Sequence, residues 1–217
     1  MVDRDTAPLC HSLAGTSARS RRLMIAGAIV LGMIPNVLAP AASARTRGGS
    51  AARTHGGCAH ANAPIGAASR PELQRTVVCL INQQRSEHRL PRLHMTRRLN
   101  RSAQGWTNTM VSHGDFGHGA DFAARISAVG FDWSSVGENI ATGYRTPAAV
   151  VRAWMASTGH CQNILSPSFL DVGTGVIGHS IPGVSSGTGT WTQDFALPMG
   201  RPAPSSNQAA ANGCPYR

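Results

Sequence analysis

The sequence contains no lysine. All twenty of its basic side chains are arginine, set against only ten acids, and the formal charge is +10. Aromatic residues are scarce at 5%, and charged residues make up only 14% of the chain. There is no HExxH, no CxxC and no phosphate-cradling glycine loop, which removes the commonest zinc-protease, dithiol-redox and nucleotide-binding readings. Neither a zinc finger nor a basic strand interleaved with aromatics is present, so the arginines are scattered and nucleic acid is not an expected partner. Internal repeats are absent. The basic balance instead suits an acidic partner such as an anionic cell-wall polymer.

What is there begins with an export pattern. The 217 residues, 41% of them hydrophobic, are enough for one ordinary domain with loose ends. Residues 19–44, RSRRLMIAGAIVLGMIPNVLAPAASA, run from basic through apolar to small residues. This is the layout of a secretory signal cleaved after Ala44, so residues 1–44 read as a signal peptide with a long basic lead. Pro35, Asn36 and Pro40 break the apolar run, which argues against a stable transmembrane span once the signal is cleaved. Cys10 and His11 would leave with it. Residues 45–71 form a Gly, Ala, Ser and Arg-rich linker, residues 72–197 the folded body, and 198–217 a polar tail. Four cysteines then remain, Cys58, Cys79, Cys161 and Cys214, an even number in an oxidising compartment. They are expected to form disulfides, and three full pairings are open.

The body opens on a capping box, Ser69 with Glu72, followed by a helix whose stripe is Leu73, Val77, Leu80 and Ile81. Thr96 caps a second helix with Leu99, Ala103, Trp106 and Met110 on one face. A third runs through DFAARISAV, and a fourth starts at Thr146-Pro147. The period then changes. FLDVGTGVIG reads as a strand whose glycines permit close backbone packing, and GTWTQDFAL alternates as a strand. Helices followed by antiparallel strands predict an α+β layer fold.

Candidate chemistry gathers at element ends: His113, Asp115 and His118 in SHGDFGHG, Glu138 in GENI, and His160 in TGHCQNI. Imidazoles and a carboxylate are the groups that share a divalent cation such as zinc, and also the groups of general acid–base catalysis. Their bland alternative is that they are satisfied polar residues at helix ends.

GENI, then TPAAVVRAWMASTGHCQNILSPSFLDVGTGV, then WTQDF, together with the first helix and VSHGDF, resemble the CAP superfamily of cysteine-rich secretory, antigen 5 and pathogenesis-related 1 proteins, in its bacterial secreted branch. The resemblance implies an αβα sandwich around a small antiparallel sheet. It implies a cleft lined by two histidines and acids, which in some members holds zinc or another divalent ion. Carried over, the histidines fall on His113 and His160, the acid on Glu138, and a cleft or sheet glutamine on Gln193. Either Asp115 or His118 takes the second acid position; His118 there makes His113, His118 and His160 a nitrogen-rich metal set, whereas Asp115 joins His113, Glu138 and His160 as a catalytic group. The expected disulfides are Cys79–Cys161 and Cys58–Cys214, with Cys58–Cys79 and Cys161–Cys214 as the rival.

The functional expectation is a secreted or wall-associated protein whose cleft binds a lipid, glycan or cell-wall ligand, with an anionic polymer, a lipid or another secreted protein as partner. Two alternatives stand beside it. One is a hydrolase of envelope peptide or glycan, metal-assisted or using a general base. The other is a disulfide-stabilised structural envelope protein.

Overall fold

The computed structural model describes residues 57–203 and Cys214; the expected signal, most of the linker and the rest of the tail lie outside the described residues. The described residues form α1 (Arg70–Glu87), β1 (His94–Met95), α2 (Arg97–His113), α3 (Phe122–Ala128), β2 (Trp133–Thr142), α4 (Pro147–Met155), α5 (Thr158–Ile164), β3 (Asp171–Ile177) and β4 (Thr190–Pro198). The sheet runs β1-β3-β4-β2. Its long pairs, β3 with β4 and β4 with β2, are antiparallel, and only the two-residue β1 runs parallel to its neighbour. The α+β expectation therefore holds.

The starts of α1, α2 and α4 are where the sequence places them, whereas α5, which carries His160, falls in a segment read as an element end. Glu72 accepts hydrogen bonds from the backbone N–H and the hydroxyl of Ser69, and Thr96 and Thr146 accept from the backbones of Leu99 and Ala149. Two glycines let α2 press on the sheet. A Cβ at Gly173 would collide with the backbone at Leu99 and Asn100, and one at Gly175 with Ala103. The sheet face that carries Thr192, Asp194 and Ala196 thus meets α2 and α3, where Thr107 bonds Thr192 and Leu99 packs near Ala196. The opposite face carries Val172, Val176, Trp191 and Phe195, which form the main core with Leu73, Val77 and Ile81 of α1 and with Val150, Trp154 and Ile164.

Beyond β1 the free edge of β3 is closed by side chains. Gln74 donates to the Thr174 carbonyl, while Asn100 and Gln104 accept the N–H groups of Thr174 and Val176. Three amides stand in for a missing strand, which satisfies backbone groups that would otherwise be orphaned. A second device ties α1 to the turn after α5. Arg85 is fully buried and donates to the carbonyls of Pro91, Ile164, Ser166 and Phe169. Burial lowers its pKa to about 10, and at neutral pH it remains a cation dissolved in carbonyl oxygens.

The cysteine pairing corrects the expectation. Cys58 bonds Cys79 and Cys161 bonds Cys214, with Cα separations of 5.7 and 5.6 Å. The flank of α1 that bears Cys79 faces the arm that precedes the helix, which Thr76 also grips through the Ala59 carbonyl. Cys161 is fully buried in α5 and takes the tail instead. One bridge fastens the arm before α1 to that helix and the other fastens Cys214 to α5, and neither crosses from α1 to α5.

Candidate functional site

Glu138 lies within a strand, not in a loop. β2 is an edge strand, and its register with β4 sets Glu138 opposite Asp194 and Asn139 opposite Gln193. The Gly143 N–H bonds the Gly189 carbonyl, so residues of odd number on β2 turn their backbone groups toward β4. Even-numbered ones turn outward: the carbonyls of Glu138 and Ile140 accept from the side chains of Asn163 and Trp154. Glu138 and Asp194 are therefore a non-hydrogen-bonded pair, the kind in which facing side chains come closest.

The Glu138 side chain has no exposed surface, and both of its oxygens are engaged. One meets His118 Nδ1 at 2.8 Å and the other Nη2 of Arg125. Arg125 also donates to the His118 carbonyl at 2.8 Å and lies 4.0 Å from the centre of the Trp106 ring. Trp106 in turn donates to the Gly117 carbonyl. The loop between α2 and α3 is drawn tight at this point. Gly119 sits at φ +70°, and a Cβ there would strike the Trp106 ring at 2.7 Å.

Asp194 lies beside this pair, 1% exposed, with neither carboxyl oxygen in a hydrogen bond among the described residues. Burial pushes its pKa up to about 8, and the Glu138 charge adds to the rise, against the pull of Ser102 and Arg125. Asp194 therefore favours its neutral form at pH 7, beside the contact of Glu138 with Arg125.

On the other side of β2 the polar groups are neutral. Asn163 donates to the Glu138 carbonyl and to Asn139 Oδ1, and Asn139 donates to the His160 carbonyl at 3.2 Å. Gly137 makes room for this, since a Cβ there would press on Asn163 and the Phe169 ring. His160 meets the Ser157 hydroxyl through Nδ1 at 2.9 Å. Its pKa is held below the ordinary histidine value, first by burial and then by repulsion from His118.

His118 and His160 share a hollow of about 610 Å³ that runs along Ile140–Thr142, with Phe116, Tyr144, Trp154 and Ser157 on its walls. Glu138 is not among the residues that line it; the carboxylate is sealed behind His118. The structure thus brings together His118, Glu138 and His160. It leaves His113 and Asp115 apart: His113 ends α2 exposed, and Asp115 is exposed just past it. The first imidazole of the cleft is residue 118 and not 113, because α2 stops at the left-handed Gly114 and the chain returns to the cleft at Phe116-Gly117-His118. Gln193 is a fully buried sheet residue near Asn139 Nδ2, not a wall of the cleft.

Among the described residues no group of three or more His, Cys, Asp or Glu is arranged to hold a metal ion. The donor chemistry agrees, since the Glu138 oxygens are occupied by an imidazole and a guanidinium cation, which leaves two imidazoles facing the hollow. The residues present therefore offer a divalent ion two imidazoles and no free carboxylate in this arrangement. Residues 183–187, GVSSG, match the G-x-S-x-G pattern, and Ser185 lies at the cleft rim. The context is wrong for a nucleophile elbow, however. The segment is a loop between β3 and β4 instead of a strand-to-helix turn, and the Ser185 hydroxyl accepts from the Gly187 N–H.

Sequence reading missed Arg125 and Asp194. The only signal was an acid on the β4 face that meets helices, with a basic residue on the helix above. Among the described residues, no helix is long and apolar enough to cross a membrane.

Comparison with known proteins places this geometry. YkwD, an uncharacterized protein of Bacillus subtilis (strain 168), is 36% identical over 127 residues, which cover 56% of this chain and 46% of that protein. The crystal structure of an extracellular protein containing an SCP domain, from Bacillus anthracis, matches with TM-score 0.51 at 25% identity, over 58% of this chain and 41% of that one. An outer surface protein of Borrelia burgdorferi matches with TM-score 0.50 at 17% identity, over 56% of this chain and 90% of that one, and shows likeness of fold alone. The chain thus spans less than half the length of the two Bacillus relatives. The model of the cysteine-rich secretory protein family, CAP, matches residues 78–195, and the chain belongs to that family.

Proposed function

We propose that the protein is an exported binding module whose cleft takes a lipid or glycan of the cell envelope and holds it without breaking it. Residues 1–44 would serve as the export signal, and the two disulfides suit an oxidising destination. The observation that carries the reading is the state of Glu138. A general base needs a free lone pair at the substrate, and here both carboxylate oxygens are engaged and the group is sealed from the hollow. The walls offer apolar surface from Phe116, Tyr144 and Trp154 with a few polar groups from Thr142, Ser157 and His160, a mixture typical of ligand pockets.

Titration with fatty acids and with soluble wall oligosaccharides, followed by calorimetry and product analysis, tests this. Saturable binding of one class is expected, weakened roughly tenfold in His160→Ala, with the ligand recovered intact. Recovery of a cleaved product overturns the reading.

One observation favours hydrolysis as a second reading. The contact of His160 with the Ser157 hydroxyl, and the lowered pKa that keeps the imidazole neutral, are what a general base requires. On that reading His160→Ala abolishes turnover of purified wall material while leaving ligand capture measurable.

A further inference from the structure

A second hollow, of about 440 Å³, opens between the first turns of α1 and α2, lined by Arg70, Gln74, Arg97, Asn100, Arg101 and Gln104. It shares no residue with the cleft. Its floor is the row of amides that closes the β3 edge, so Gln74, Asn100 and Gln104 are each pinned by a backbone bond of 2.7 to 2.9 Å. Asn100 uses its carbonyl oxygen for this and keeps its NH2 uncommitted among the described residues.

The rim is made of three exposed guanidiniums. Among the described residues no acid lines the hollow, and none of the three arginines is in an ion pair. Arg101 is anchored from one nitrogen to the Val129 carbonyl at 3.3 Å, which leaves most of its donors free. Arg97 and its neighbour Arg98 also occupy the first turn of α2, which contains no acid. Cations there oppose the helix dipole. Three like charges around one hollow, with a rigid polar floor and no anion to offset them, are a local conflict of the sort proteins retain at functional sites. Guanidinium forks match the oxygens of a phosphate group, which accepts from several donors at once.

We infer that the hollow ringed by Arg70, Arg97 and Arg101 binds the phosphate groups of an anionic polymer. The site is independent of the cleft, and it would hold the protein to a phosphodiester-bearing matrix while the cleft remains open.

The test uses the whole disulfide-bonded protein and poly(glycerol phosphate), with inorganic phosphate and poly-glutamate as separate probes, at physiological salt. The Arg70→Gln/Arg97→Gln/Arg101→Gln variant is compared with Arg92→Gln/Arg145→Gln/Arg152→Gln, which removes the same charge from exposed positions elsewhere. Unchanged melting temperatures establish that both variants fold. Saturable binding of the phosphate polymer is expected, weakened roughly tenfold or more by the first set and under about threefold by the second. Amide shifts in the NMR spectrum should centre on the Asn100 side chain and on the Arg97 and Arg98 backbones. Equal weakening by both sets shows diffuse charge attraction and overturns the site. Equally tight poly-glutamate overturns the phosphate assignment, and inorganic phosphate binding as tightly as the polymer overturns the polymer.

Discussion

Glu138 and Asn139 are neighbours on one strand, and they point into layers that hold polar groups by opposite means. Toward α2 and α3 the interior is ionic: one carboxylate, one guanidinium, one imidazole and a second carboxyl whose pKa is pushed up to about 8. Around Asn139 it is neutral, a relay of amides from Asn163 through Asn139 to the His160 carbonyl. The difference is one of failure. A buried charge that loses its partner keeps its full desolvation cost, whereas an amide that loses one bond keeps others. The ionic layer should therefore break abruptly under substitution and respond to pH, and the amide layer should weaken by steps and ignore pH.

The sharpest test of that contrast is Arg125→Met. It leaves the buried Glu138 carboxylate without its guanidinium partner, held by His118 alone and facing Asp194 across the strand pair. A loss of about 3–5 kcal/mol is expected, read by urea unfolding at neutral pH. A loss below about 1 kcal/mol at neutral pH would mean that the ionic layer is solvated after all.

Asp194→Asn probes the same layer with the opposite sign. A carboxyl whose folded pKa is raised, from 3.8 to about 8, contributes stability that is fully present below pH 3.8 and is lost as pH rises through 8. The variant lacks this term. It should match the wild type within about 1 kcal/mol near pH 4 and gain on it steadily toward pH 8, by more than about 1 kcal/mol in total. Parallel stability curves from pH 4 to 8 would show that Asp194 ionises normally. On the neutral side, Asn163→Ala removes the bonds to the Glu138 carbonyl and to Asn139. It should cost about 1–2 kcal/mol, with no change between pH 5 and 8; a pH-dependent loss would tie the two layers together.

How far this arrangement could be read from sequence follows the same division. Features set by local chemistry were legible: the Ser69–Glu72 box, the Thr96 and Thr146 caps, and the glycines at 173 and 175 that bring α2 onto the sheet. The family resemblance carried the fold. What depends on chain reversal or cross-strand register was not legible. Two histidines in SHGDFGHG have no period to separate them, and only the turn at Gly114 decides which one enters the cleft. GENI lacks the alternation of a half-buried strand because both faces of β2 are covered there. The Arg125–Glu138–Asp194 group joins three elements, and spacing along the chain says nothing about it. The disulfides could be enumerated but not chosen, since the choice rests on which flank of α1 faces the arm.

The smallest expected effect concerns His160, where the two layers come within electrostatic reach. Its pKa is depressed chiefly by burial and secondarily by His118. A histidine depressed in the folded state contributes stability that is present above the ordinary value of 6.5 and is lost as pH falls through its folded value. His118→Gln removes the like charge but leaves the burial intact. The His160 ring, followed by NMR, should therefore titrate only slightly higher in the variant and still below 6.5. Full return to 6.5 would make charge repulsion across the cleft the dominant cause, and the neutral layer would then not be insulated from the ionic one. No change at all would mean that the two imidazoles do not sense each other across the hollow they line.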